Sequence, residues 1–266
     1  MSDRVTVSIQ ASVADIRMNR ADKLNALDGE MFEALIETGR SLASDPSVRV
    51  AVLSGEGRAF CAGLDVSSFA AMAKPQDGPR LLEPSDDSPA NFAQRAAWVW
   101  YELPVPVIAA VHGFAFGAGL QIALAADIRF VAPDARLSVM EIKWGLIPDM
   151  SGTQSLRRLV RLDVAKELTY TGRIISGDEA VELGLATHAS TTPLESALAL
   201  AREIAVRSPD AIRAGKRLLN ESGLVSLEEG LRWEAKTQAM LIGGDNQTEA
   251  VRANLEERDP KFSNPQ

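Results

Sequence analysis

Residues 105–126 constrain the fold more than any other part of the chain, because they are almost wholly apolar over a length that would cross a bilayer. Their punctuation argues against a span. Pro104 and Pro106 introduce a β-branched run, and Gly113, Gly117 and Gly119 then interrupt the segment, so the pattern predicts a buried strand, a turn and a buried helix. A chain of 266 residues that is 46% hydrophobic and 24% charged has enough material to enclose such a segment, as one large core or as a domain with a helical appendage.

The flanking sequence predicts an α/β organisation. Residues 5–10 and 13–18 read as two short strands. Asp28 caps a helix whose apolar stripe is Met31, Phe32, Leu35, Ile36 and Leu42. Residues 48–54 form the next buried strand. After the strand–turn–helix of 107–126, further strands are expected near 128–132 and 137–139. No repeat period is visible in the residues, so any repetition must be structural. From about residue 153 helices follow one another with explicit start signals: Ser176 with Glu179, Thr192 with Pro193 and Glu195, Ser226 with Glu229. The expected division is 1–200 for the α/β core and 201–266 for a helical C-terminal region. Residues 66–97 hold Pro75, Pro79, Pro84 and Pro89 beside Asp86 and Asp87; they read as a surface loop with short helices, either a lid or an insertion without function.

Charge and rare residues narrow the function. A net charge of −8 without basic runs disfavours nucleic acid as a partner. The single cysteine, Cys61, excludes an intramolecular disulfide and fits a reducing, cytoplasmic setting; the start of the chain shows no signal-peptide pattern. His112 and His188, the only histidines, are too few and too far apart for a metal site, and both read as structural. Cys61 reads as a small buried filler, since no partnered histidine is evident.

Two small-residue segments could bring main chain close to a ligand. Ala59-Phe60-Cys61-Ala62-Gly63-Leu64-Asp65 follows the strand at 48–54. Gly113-Phe114-Ala115-Phe116-Gly117-Ala118-Gly119-Leu120-Gln121 does not fit the dinucleotide-binding pattern, but offers a glycine turn that opens an apolar helix. The free N–H groups and positive dipole end of such a helix favour a developing anion.

These segments, about fifty residues apart, are followed by Met140-Glu141-Ile142-Lys143-Trp144-Gly145-Leu146-Ile147-Pro148-Asp149-Met150-Ser151-Gly152-Thr153-Gln154. Together the three resemble, in order, the signatures of the crotonase superfamily, the enoyl-CoA hydratase/isomerase family. The resemblance runs from Asn19-Arg20-Ala21-Asp22-Lys23-Leu24-Asn25-Ala26-Leu27 to Glu257-Arg258-Asp259-Pro260-Lys261-Phe262, nearly the whole chain. It implies a spiral of ββα units with a C-terminal helical region that builds homotrimers, commonly stacked into hexamers. It also implies an acyl-CoA substrate, with no tightly bound cofactor and coenzyme A present only as part of that substrate. The N–H groups of Leu64 and Ala118 are implied to hold the thioester oxygen. Coenzyme A contacts are implied for main chain at Ala62 and Leu64, for Lys23 near the phosphates, and for Lys261 and Phe262 reaching over from a neighbouring subunit.

Here the sequence departs from the best-known hydratase pattern. Family hydratases carry two glutamates; the first falls on Gln121, which has no titrating proton, and the second on Glu141. Glu141 is then the single proton-transfer group, with Gln121 orienting water or substrate. Asp149, eight residues after Glu141, stands where dienoyl-CoA isomerases also place an aspartate; it follows a proline, and turn formation is its plain alternative. One carboxylate suffices to shift a double bond, whereas hydration needs a positioned water and usually a second acid. The chain therefore reads as a double-bond isomerase or specialised hydratase of unsaturated acyl-CoA in lipid metabolism. The alternative is a catalytically weak acyl-CoA-binding or scaffold protein. A Ser-His-Asp hydrolase would need a serine in the second signature, and none is there.

Overall fold

The structure is a computed structural model that describes residues 3–65, 82 and 88–265. Strands β1 (Val5–Gln10) and β2 (Val13–Met18) form an antiparallel hairpin, and β2 then pairs in parallel with β3 (Val50–Gly55). Parallel pairing continues through β4 (Val107–Val111), β6 (Ile128–Val131) and β9 (His188–Ala189), giving a six-stranded sheet in the order β1-β2-β3-β4-β6-β9. A second sheet of three strands, β5-β7-β8, contains Phe114–Phe116, Arg136–Ser138 and Ile175–Ser176.

This order explains why no sequence repeat was visible. The chain alternates one strand of the large sheet, one of the small sheet, then helix: β4, β5 and α3 (Ala118–Ala125) make one such turn, and β6, β7 and the helices α4 (Gly152–Leu159) and α5 (Leu162–Thr171) begin the next. The segment after β3 joins the same scheme through a parallel bridge between Cys61 and Ala115. The repetition is one of path, not of residues.

Parallel strands are covered on both faces, and here alternation along β3 divides the cores. Ala51 and Leu53 face the main cluster with α1 (Gly29–Ala43) and α2 (Phe92–Glu102), while Val50 and Val52 face α7 (Pro193–Ala205) through Ala197, Ala201 and Ala205, one helical turn apart. Helices α1 and α2 lie so close that a Cβ at Gly39 would sit 2.4 Å from Val99 Cγ2. Asp28 caps α1 as expected, accepting from Met31 N at 2.9 Å, and Ser176 and Ser226 cap α6 (Gly177–Glu182) and α9 (Leu227–Leu241) by accepting from Glu179 N and Glu229 N. Thr192 makes no side-chain cap; Pro193 alone marks that start.

Two expectations need correction. Residues 105–126 contain a strand not foreseen, β5, between β4 and α3, and among the described residues no helix is long and apolar enough to cross a membrane. The irregular reading of 66–97 fails at its end, because α2 starts at Phe92 and buries Ala93, Ala96, Ala97, Val99 and Trp100. Nearly all of the rest of that stretch lies outside the described residues. The division at 200/201 falls inside α7. Beyond it come α8 (Pro209–Glu221), α9 and α10 (Asp245–Leu255), and the buried Lys216 ties α8 to the sheet by ion pairing with Asp127 at 2.8 Å and donating to Val105 O at 2.9 Å. Burial lowers the Lys216 ammonium from its usual range, against the pull of Asp127.

Candidate active site

Backbone pairing between the segment after β3 and strand β5 brings the first two sequence segments together. Cys61 N donates to Phe114 O (2.9 Å) and Phe116 N donates to Cys61 O (3.1 Å). A Cβ at Gly63 would lie 2.7 Å from Phe116 O and 3.8 Å from Ala118 N, so only glycine, at φ +95°, fits there. On its other side this segment pairs with Leu27, which donates to Gly63 O (2.8 Å) and accepts from Asp65 N (2.9 Å). This pairing turns the Leu64 N–H away from Leu27. Ala118 is the first residue of α3, so its N–H has no partner within the helix.

The third segment reaches the same place through the small sheet. Gly117 N donates to Ser138 O (3.0 Å), and the chain continues from β7 into a 3₁₀ turn, Met140–Trp144, that carries Glu141. Gly117 adopts φ +50°, ψ −119°, and a Cβ on it would lie 3.1 Å from Glu141 Oε1. Glycine at this position therefore serves both the turn and the approach of the carboxylate.

Glu141 is buried. Gln121 Nε2 donates to its Oε1 at 2.6 Å, and Oε2 has no hydrogen-bond partner among the described residues. Burial pushes the Glu141 carboxyl above the usual carboxylate range; the Gln121 hydrogen bond opposes the shift and the nearby charge of Asp149 adds to it. Asp149 sits solvent-exposed at the rim, yet partial desolvation raises its carboxyl as well. The Gln121 amide oxygen accepts from Met150 N (2.8 Å) and Gly152 N (2.9 Å).

Leu64, Ala118, Gln121, Glu141, Asp149 and Ala62 all line one cavity of about 320 Å³. Its other walls are mainly apolar, among them Phe32, Met140, Trp144, Leu146 and Ile147. These apolar residues were not foreseen, since a hydrophobic wall carries no signal that separates it from core. Lys23 is exposed and is not part of the cavity lining, although the next residue, Leu24, accepts from Ala62 N at 2.9 Å. Lys261 and Phe262 lie elsewhere in this chain. Phe262 O accepts from Arg49 Nη2 (2.8 Å), at the start of β3, whereas the cavity lies beyond its end, roughly 20 Å away for a six-residue strand.

The remaining candidates are structural. Cys61 is fully buried, its thiol pushed up to about 12 by desolvation, and its Sγ donates to Asn25 O (3.1 Å). His112 Nε2 lies 3.0 Å from Gly57 O, and His188 packs on Phe130 at 4.8 Å between ring centroids. Sequence reasoning also passed over Arg20, which pairs with Asp65 (2.6 Å) and approaches Asp28 (3.4 Å), so tethering the Leu64 segment to β2 and the start of α1. Chemically, main-chain N–H groups at such a cavity can hold an oxyanion, and a buried carboxylate with one oxygen unpartnered among the described residues can move a proton.

Comparison with known proteins gives the family. The family model described as "Enoyl-CoA hydratase/isomerase" matches residues 8–265. Over 260 residues the chain is 36% identical to the mouse protein named enoyl-CoA hydratase domain-containing protein 2, mitochondrial, covering 94% of this chain and 84% of that one. Over 254 residues it is 35% identical to mouse methylglutaconyl-CoA hydratase, mitochondrial, covering 92% and 77%. The crystal structure of a putative enoyl-CoA hydratase from Streptomyces coelicolor A3(2) superposes with a TM-score of 0.90 at 34% identity, covering 98% of this chain and 94% of that one. The chain belongs to the enoyl-CoA hydratase/isomerase family and has the crotonase fold.

Proposed function

We propose that the protein shifts the double bond of, or adds water to, unsaturated acyl-CoA thioesters through an enolate held by the N–H groups of Leu64 and Ala118, with Glu141 moving the proton. The observation that carries this reading is the convergence of Leu64, Ala118 and buried Glu141 on one cavity. In the isomerase sense, ionised Glu141 takes a proton from C2 and the freed electron pair moves onto the thioester oxygen. Return of the pair with protonation at C4 completes the shift. Each preorganised donor contributes roughly 3 to 4 kcal/mol to the enolate. Hydration adds a water, for which Asp149 at the rim supplies a second carboxyl. Lys23 and main chain at Ala62 face the coenzyme A portion, which enters as part of the substrate and not as a resident cofactor. Lys261 and Phe262 serve a neighbouring copy's site in a homotrimer or hexamer built by the 201–266 helices, and the setting is cytoplasmic.

Incubation with 2-enoyl-, 3-enoyl- and 3,5-dienoyl-CoA, with products identified, distinguishes the two reactions, and Glu141→Gln should abolish the productive one. Tight acyl-CoA binding without turnover across that panel would replace the catalytic reading with a binding or scaffold role. Full turnover by Glu141→Gln would refute the mechanism.

A further inference from the structure

Gln121 stands where a second acid would be, and its surroundings assign it a different task. Its amide oxygen is held by two main-chain donors, Met150 N at 2.8 Å and Gly152 N at 2.9 Å. Those bonds fix which end of the amide is which, so the NH₂ end must face Glu141, as it does at 2.6 Å from Oε1. Room for this contact is reserved: a Cβ at Gly152 would lie 2.5 Å from Gln121 Oε1. The side chain is 3% exposed, and its oxygen already accepts twice.

We propose that Gln121 is a positioning residue: anchored by the 150–152 turn, it pins Oε1 of Glu141 and leaves Oε2 as the oxygen that exchanges the proton with substrate. This rests on the reading that Glu141 moves the proton. It replaces the expectation that Gln121 orients water or substrate. Oε2 is the buried oxygen without a hydrogen-bond partner among the described residues, as a proton-exchanging atom needs to be. Because the pinning bond favours the ionised carboxylate, it also keeps Glu141 able to act as a base despite its burial.

Among the described residues, Asp149 is the other charged group that lines the Glu141 cavity. Helix α3 carries no charged residue. Lys143 on the same turn, Asp163, Lys166 and Glu167 on the adjoining helix (Leu162–Thr171), and Arg157 and Arg158 on Gly152–Leu159 are all exposed.

The experiment is the pH dependence of kcat and KM for Gln121→Met and Gln121→Glu with whichever acyl-CoA the panel identifies. Gln121→Met removes the donor at similar length. Glu141 then needs a higher pH to ionise, so the acid limb of kcat should move up by about one pH unit and the plateau should fall about tenfold, with KM within about threefold. Gln121→Glu places a carboxyl against Oε1 that must share one proton with Glu141. It should lose turnover as pH rises, through an alkaline limb at lower pH than any the wild type shows. A purely structural role would lower the yield of folded enzyme or scale turnover evenly at every pH. A Gln121→Met profile superimposable on the wild type would overturn the assignment. If that variant does not fold, a Gln121→Glu profile without the new limb would do so. Glu141→Gln serves as the control: its full activity would refute the underlying reading, whereas its inactivity beside unshifted Gln121 variants would refute the pinning alone.

Discussion

At the level of single residues, the site carries a stability cost that its chemistry requires. The Glu141 carboxyl is raised from an ordinary value of 4.5, so the folded state holds its proton more tightly than the unfolded chain does. The sign follows: no cost is felt below pH 4.5, and stability is lost as pH rises through the folded-state value. Glu141→Gln should therefore melt higher than the wild type at pH 7, with the difference shrinking toward zero in acid; equal melting temperatures at both pH values would contradict the burial argument. Gly117→Ala should act oppositely, costing about 1–3 kcal/mol for an L-residue in Gly117's backbone conformation, besides pressing a methyl onto Glu141. Urea melts of the two proteins would measure it. That Glu141, Leu64, Ala118 and Gln121 belong near one another followed from the resemblance of their three segments to the family's signatures, and one cavity does bring them together. The direction of the Gln121 amide was not legible, because it is set by main chain some thirty residues away.

Elements were legible where start signals and period agreed. Helix α1 and the capped helices after residue 153 were read correctly because Asp28, Ser176 and Ser226 do satisfy the first-turn N–H groups. Strand β5 was missed because its three residues sit between two glycines, a pattern shared with turns, and only its pairing with β7 makes it a strand. Helix α2 was hidden by the prolines before it. Its signal was nonetheless present: Asn91 Oδ1 accepts from Gln94 N and Gln94 Oε1 accepts from Asn91 N, both at 2.9 Å, a reciprocal cap ahead of an apolar run. Asn91→Ala should cost about 1 kcal/mol in denaturant midpoint experiments. Since Ala93 of the same helix lines the cavity, the variant should also raise KM for acyl-CoA more than it lowers kcat. Unchanged stability would mean that packing against α1, and not the cap, holds this helix.

For the whole molecule, the sheet is covered within the chain whereas the C-terminal helices keep apolar side chains exposed. The sheet is closed on one face by α1 and α2 and on the other by α7, but α8, α9 and α10 present apolar side chains outward: Leu219 is 84% exposed, Leu227 81%, Leu231 55% and Leu255 81%. Alanines and leucines of α8 and α9 also line a groove between those two helices. Apolar surface concentrated in this way marks an interface, and the proposed homotrimer or hexamer is the occupant that would bury it. It would also bring Lys261 and Phe262, stranded at the far end of β3 in their own chain, to another chain's cavity. Sedimentation should then give three or six chain masses for the wild type, and the pair Leu227→Glu with Leu231→Glu should reduce it to single chains. Those residues lie outside the cavity, so a rise in KM for acyl-CoA on dissociation would report the contribution of the neighbouring copy. A wild-type protein that sediments as one chain would leave both the exposed leucines and the remote Lys261 without the role assigned to them.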